Sequence, residues 1–500
     1  MNTPSDKPSL KKNTENPAAR EKYEPVIGLE VHIQLRTKSK AYSSDSTEYG
    51  ALPNSQTSPI SLGHPGTLPM VNKKVVEFAL KLGIACKCKI TAENQYARKN
   101  YFYSDLPKGY QITQSTTPIC TGGYVSFHIG NNNKRQISLN RIHMEEDTGK
   151  SIHDQDPADT LIDLNRAGVP LLEIVTEPVI TNAEEAGNYL TELRRLVRYL
   201  EICDGNMEEG SLRCDANVSV RLKGDKKLGT KVEVKNMNSI RNVQLAIEYE
   251  ITRQIEALEK GESLRQETRN YNAATNKTSV MRTKESADDY RYFPEPDLQP
   301  LIISDKQIEA VKQSLPALPE ELYEKYTGVL NLGDYDASLI IENKEFALYF
   351  EELTRHTTNY KSAANWMMGE IKSYLNENAI SIDRFPIKPA KIAEIIKTVE
   401  SGSVSYTAAS GSIFPELIRN PDKTAIKIAE EQNLLQESNT DVLQDFVKQA
   451  IAKFPDKVAE YQNGKTGLIG LFMGEVMKLS KGKADPKMAN KLVTEALRKK

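Results

Sequence analysis

Residues 26–35, Val-Ile-Gly-Leu-Glu-Val-His-Ile-Gln-Leu, alternate apolar and polar positions. Ile27, Leu29, Val31, Ile33 and Leu35 share one side, and Gly28, Glu30, His32 and Gln34 share the other. A period of two rich in β-branched residues predicts a half-buried strand. Its polar side sets a carboxylate and an imidazole two residues apart, roughly 7 Å along the strand and pointing the same way. Such a pair suits a metal or proton-transfer site. On this strand alone, a solvated face with a satisfied histidine is the other reading.

Later stretches repeat the pattern. Residues 137–147, Ile-Ser-Leu-Asn-Arg-Ile-His-Met-Glu-Glu-Asp, alternate and then close on three acids, Glu145, Glu146 and Asp147. Carboxylates that close repel unless a cation neutralises them, although an acidic surface turn would also serve. Residues 171–178 form an apolar strand interrupted by Glu173, and a buried charge there must be paired or coordinated. The strand over 211–222 puts Arg213, Asp215 and Asn217 on one side, and a hairpin brings back 231–235 with Glu233 and Lys235. Helical spacing marks 71–85, 183–201 (with Asn182 as cap) and 240–260. From 304 strand signals fade, and helices are predicted over 304–313, 318–327, 335–358 and 361–375, with short helices to the end.

These patterns predict an α+β chain with four parts. Residues 1–22 are polar with little to bury and read as a disordered leader. A strand-rich domain spans 23–300, and helices follow over 301–360 and 361–500. Five hundred residues is a soft prior for about three domains. With 66 basic and 68 acidic side chains the net charge is −2, so any nucleic-acid role must rest on local patches. One such patch is 464–500, where nine Lys/Arg stand against three acids among several glycines. Glycines and lysines together allow close approach to a phosphate chain; a solvated helical tail is the alternative. The five cysteines lack framework spacing, which points to reduced thiols and the cytoplasm. No apolar run is long enough to span a membrane, and there is no signal peptide.

The chemistry gathers on the polar strand faces. Glu30, His32, Glu146, Glu173, Asp215 and Glu233, bordered by Arg213 and Lys235, make an acidic surface with a cationic rim. That suits a metal-chelated triphosphate: carboxylates hold the ion and cations hold the phosphoryl oxygens. The stretch 98–111 adds Arg98, Lys99, Tyr101, Tyr103 and a Pro107-Lys108-Gly109 turn. Tyrosines can stack a base and lysines can bind phosphate, unless this is an aromatic strand edge with solvated lysines. Gly149-Lys150-Ser151 is not the end of a phosphate loop, because residue 144 is Met where that motif needs Gly.

The strings GLEVHIQL, RKNYFYSDLPKGYQI, HMEEDTGK, DLNRAGVPLLEIVTEP, MEEGSLRCDANVSVR, KNMNS and DDYRYFPEPDL, in this order, closely resemble the B subunits of the tRNA-dependent glutamyl/aspartyl amidotransferases. NWMMGE at 365–370 and the basic tail resemble that family's C-terminal domain. The likeness covers about residues 23–500. It implies an antiparallel-sheet cradle as catalytic domain, a helical segment, and an all-α tail that grips tRNA. It implies partners: an amidase (A) subunit, a small linking (C) subunit and a misacylated tRNA. It implies ATP and magnesium, and phosphorylation of the side-chain carboxylate of Glu-tRNA(Gln) or Asp-tRNA(Asn) before ammonia displaces phosphate. Carried over, His32, Glu146 and Glu173 resemble metal ligands, with Glu30 beside them. Lys99, Tyr101, Glu145, Asp215 and Glu233 resemble residues around the nucleotide and phosphoryl group. Many relatives carry a zinc-binding Cys-rich insertion after the first strand; here Ser43, Ser44, Ser46, Ser58 and Ser61 occupy that loop, so no structural zinc is expected. Two other readings are a non-catalytic tRNA-binding scaffold and a metal-dependent hydrolase; the hydrolase leaves Lys99 and the tyrosines without a role.

Overall fold

The computed structural model describes residues 17–129, 133–283, 290–436, 440–480 and 482–498. It divides into two compact units after Leu322.

The first unit is built on one sheet. Helix α1 (Pro17–Lys22) leads into β1 (Tyr23–Gln34), followed by α2 (Lys73–Ala85), β2 (Lys89–Ile90), β3 (Glu93–Asn94), β4 (Ala97–Asn100), β5 (Tyr110–Thr113), β6 (Cys120–Thr121), β7 (Tyr124–Ile129) and β8 (Asn133–Glu146). Then come β9 (Lys150–Ile152), β10 (Leu161–Asp163), β11 (Pro170–Thr176), α3 (Ala183–Tyr199), β12 (Leu212–Leu222), β13 (Val232–Met237), α4 (Ile240–Glu259), β14 (Glu267–Asn272) and β15 (Lys277–Thr283). The sheet runs β15-β14-β13-β12-β1-β11-β8-β6-β2, with β7 also on β8. Every pairing in it is antiparallel except β13 with β14.

β1 lies near the middle, and its alternation is what the sheet is sorted by. Ile27, Leu29, Val31 and Ile33 are buried, while Gly28, Glu30, His32 and Gln34 are half-buried. The apolar side joins one core with Leu190, Leu193 and Val197 of α3 and Val243, Ile247 and Ile251 of α4. Asn182 and Ser239 cap α3 and α4 by accepting from Glu185 N and Asn242 N. With helices on one face, the polar residues of β1, β11, β12 and β13 are left together on the other.

Several boundaries differ from the pattern. Residues 17–22 are helical: Ala19 is buried in the core, and Arg20 and Lys22 pair with Glu248 and Glu259 of α4 at 3.1 and 2.9 Å. The leader expected over 1–22 is therefore ordered from 17, and residues 1–16 lie outside the described ones. Past residue 300, Ile303 and Leu318 are buried in the core of the first unit, and Ile308, Val311 and Leu315 pack against it. The expected separate 301–360 segment is thus divided at 322. In the second unit the single helix expected over 335–358 is two, Asp334–Ile340 and Lys344–His356, because Asn343 caps a new start by accepting from Phe346 N. The helix expected over 361–375 carries a π turn at Met367–Ile371. The basic tail is not a solvated helix: Phe472, Val476, Val493 and Leu497 form a core with Leu443 and Val447, while Lys478, Lys487 and Lys491 stay exposed.

Leu193 is fully buried between α3 and the sheet. Leu193→Ala should destabilise the first unit by about 2–5 kcal/mol, read as a lower urea midpoint at unchanged slope.

Candidate active site

Register places the polar side chains in rows. In antiparallel pairs, residues directly opposite share a face. His32 of β1 faces Glu173 of β11 and Arg213 of β12; Glu30 faces Asp215; Glu173 in turn faces His143 of β8. Four adjacent strands thus contribute to one patch.

Glu173 is its centre. His32 donates through Nε2 to Glu173 Oε2 at 3.2 Å, and His143 Nε2 lies 3.5 Å from the same oxygen. Arg141 Nη2 is 3.6 Å from Oε1, and Glu30 Oε1 is 3.9 Å from His32 Nε2. Two overlapping groups could each hold a cation, Glu30–His32–Glu173 and His143–Glu145–Glu173, with ligand atoms within 4.8 Å of one another. Carboxylates with imidazole suit a divalent ion such as magnesium or manganese.

The electrostatics fit a site waiting for positive charge. Burial and the nearby Glu173 raise the Glu30 pKa. Burial works against the imidazolium of His32, but the hydrogen bond and charge of Glu173, with Glu30, raise its pKa overall. Glu173 goes the other way: burial would raise it, but His143, His32 and Lys99 hold it ionised. Burial lowers the His143 pKa.

Cations border the patch. Lys99 Nζ is 3.4 Å from Glu145 Oε1, and Glu145 raises its pKa. Lys99 also lies 5.2 Å from the Tyr290 ring, which meets Tyr101 edge-on at 6.1 Å. Lys235 pairs with Asp215 and lies 3.5 Å from Glu233, whose other oxygen accepts from Thr268 Oγ1 at 2.9 Å. Arg213 is tied to Asp147 at 2.9 Å. Burial would raise the Asp147 pKa, but Arg213 and Arg166 pull it below the usual range.

Glu146 is not part of the patch. Successive strand residues point to opposite faces, so Glu146 turns away from Glu145 and pairs with Lys108, accepting from Ile112 N at 2.8 Å. Glu145, not Glu146, is the neighbour grouped with His143 and Glu173. Tyr103 is likewise not drawn in: its ring is exposed on the loop after β4. Of DDYRYFPEPDL, Asp288 and Asp289 lie outside the described residues.

Known families match the chain in both units. The GatB/GatE catalytic domain model matches residues 25–309, and the GatB domain model matches 348–497. The chain belongs to the GatB family. It is 46% identical over 476 residues to the B subunit of the aspartyl/glutamyl-tRNA(Asn/Gln) amidotransferase of Thermodesulfovibrio yellowstonii, covering 95% of this chain and 99% of that protein. It is 48% identical over 476 residues to the protein of the same name from Trichlorobacter lovleyi, with the same coverage. With that of Thermoanaerobacter pseudethanolicus it shares 46% over 478 residues, 96% of this chain and all of the relative.

In this GatB-family chain the loop after β1 is organised by a carboxylate. Asp45 Oδ2 accepts from Ser58 N at 3.0 Å, Ser58 Oγ at 2.9 Å, Ser43 Oγ at 3.1 Å and from Ser61 Oγ. The set offers neither thiolate nor imidazole, the ligands a structural zinc uses. Beside it Lys40, fully buried, donates to Gln56 O at 2.8 Å. Lys40, Tyr42, His64, Lys108 and Glu146 line a cavity of about 90 Å³, too small for a nucleotide beside the roughly 300–1,000 Å³ typical of ligand pockets.

Sequence reasoning did not single out His143, Arg141 or Gln34. Strand parity was the available signal: residues 141, 143 and 145 share a face, and 146 does not.

Burial lowers the Lys40 pKa from 10.5 to about 8. The folded state then binds this proton less well than the unfolded chain, so the Lys40 contribution to stability rises with pH across that window. The stability of the parent minus that of Lys40→Met should increase between pH 8 and pH 10.5, measured by urea unfolding.

Proposed function

We propose that this chain is the subunit of a glutamine-dependent amidotransferase that activates the side-chain carboxylate of glutamate or aspartate misacylated on tRNA(Gln) or tRNA(Asn). The observation that carries this is the Glu173-centred patch: half-buried Glu30 and His32 of β1 and buried His143, Glu145 and Glu173 of β8 and β11, ringed by Lys99, Lys235 and Arg213. Family membership gives the coarser statement, that of a ligase subunit in an assembly whose relatives are named as B subunits.

The proposed reaction has two displacements. An oxygen of the substrate carboxylate attacks the γ-phosphorus of ATP, the bond to the bridging oxygen breaks, and ADP leaves with that electron pair. Ammonia then adds to the acyl phosphate carbon, and phosphate departs as a far better leaving group than hydroxide. Glu30, His32, Glu173, Glu145 and His143 would hold magnesium, which when bound offsets phosphate charge and polarises phosphoryl oxygens. Lys99 and Lys235 bind and orient the triphosphate, and Tyr101 with Tyr290 offers a wall against the nucleotide. Asp215 holds Lys235 in place, and Glu233 fixes it from the other side. Once ammonia has added, the proton it sheds leaves with the departing phosphate.

The finer assignments follow the family. An amidase subunit supplies ammonia from glutamine, a small linking subunit joins the two, and the exposed lysines of the tail bind tRNA. Among the described residues no helix is long and apolar enough to cross a membrane, and we place the assembly in the cytoplasm. A purely scaffolding role is disfavoured by the patch, because buried carboxylates repel tRNA phosphates and cost stability without a cation.

Glu173→Gln in the assembled complex should abolish transamidation while glutamine hydrolysis persists; retained transamidation would refute the reading. Deletion of the tail is a poor test of tRNA binding, since Phe472 and Val493 are core residues. Lys478→Glu with Lys487→Glu should instead weaken tRNA binding and flatten its dependence on log salt by about 0.9 for each phosphate no longer neutralised.

A further inference from the structure

Arg213 carries an unexplained feature. Its Nη2 donates to Asp147 Oδ2 at 2.9 Å, yet its Nε is buried without a hydrogen-bond partner, while the side chain as a whole is 36% exposed. A buried donor left unpaired costs free energy and calls for an acceptor absent from the protein itself. Asp147 is built to hold this guanidinium. It is 4% exposed, its Oδ1 accepts from Thr148 N at 3.0 Å, and its Oδ2 also accepts from Gln34 Nε2 at 2.9 Å. Arg166 stands 3.6 Å from the same oxygen, but it is spent on the carbonyls of Thr148 and Gly149 at 2.9 and 2.7 Å. Gln34 follows His32 by two residues on the same face of β1, and Arg213 lies directly opposite His32. The guanidinium therefore sits at the Gln34 end of the carboxylate patch.

We propose that Arg213 is a catalytic residue that binds the transferring phosphoryl group, and that Asp147 is the positioning residue that aims it. This rests on the reading of the patch as a phosphoryl-transfer centre. As the carboxylate oxygen bonds to the γ-phosphorus and the bridging oxygen leaves with ADP, negative charge spreads over the three equatorial oxygens. A guanidinium presents a rigid fork of donors that matches such oxygens, which an ammonium does not. With one arm fixed by Asp147, Arg213 loses less rotamer entropy when it engages. Sequence alone ranked Arg213 as one more rim cation; what distinguishes it is the pairing of a buried anchor with an idle donor.

The test uses the full complex with misacylated tRNA, glutamine and ATP. Arg213→Ala should lower the transamidation kcat by about 10³-fold, with the KM for ATP little changed, glutamine hydrolysis intact, and partial recovery on adding guanidinium ion. Asp147→Asn, which keeps the guanidinium but loosens its aim, should fall between Arg213→Ala and the parent. If Arg213→Ala fails to assemble, Arg213→Lys decides: a parental melting temperature with a depressed kcat supports the proposal. A parental kcat in either Arg213 variant, a loss confined to KM, or no response to guanidinium overturns it. Glu173→Gln run in parallel separates the two levels. If it is inactive while Arg213→Ala is active, only the Arg213 assignment falls; if it too is active, the phosphoryl-transfer reading falls.

Discussion

Buried like charge is the constraint from which the rest of the first unit follows. Glu173 lies within 4.8 Å of Glu30 and His32 in one group and of Glu145 and His143 in another. Such a group is tolerable only where opposite charge is close. The protein supplies part of it through Lys99, Arg141, Arg213 and Lys235, each held against a carboxylate. Lys99, Arg213 and Lys235 cannot collapse onto Glu173, because each is anchored at the edge by another acid. This leaves an anionic middle and a cationic rim, the arrangement that a chelated triphosphate complements.

The sheet makes that arrangement rigid. Helices α3 and α4 cover the apolar face of β1 and β12, so a register slip of one residue would drive Glu30 and His32 into the core and Ile33 into solvent. Hydrophobic sorting on one face therefore fixes the chemistry on the other. The same logic explains why Asp147 and Gln34 are well placed to orient a neighbour. Both lie at the end of the polar face and hydrogen-bond one another.

The loop after β1 shows a different solution to a related problem. A long loop needs a centre, and here a single carboxylate gathers three serine hydroxyls and a backbone amide. Buried Lys40 balances it from the preceding turn. Hydrogen bonds to that carboxylate hold the loop together, and the small cavity nearby is framed by Lys108 and Glu146.

Much of this was legible in the chain itself. The alternation of β1, β12 and β13 and the helical periods of α2, α3 and α4 set the elements, because side-chain period is a local property. The acid-bearing strings suggested a shared surface, and Glu30, His32, Glu173 and Asp215 do meet there. Local pattern could not say that Glu145 would group with His143 and Glu173 while Glu146 pairs with Lys108. Nor could it see that Ile303 and Leu318 reach back to the first core, or that the tail helices bury Phe472 and Val493. Those outcomes depend on which strands become neighbours and which apolar residues find a partner, and such pairings are decided between segments far apart in sequence.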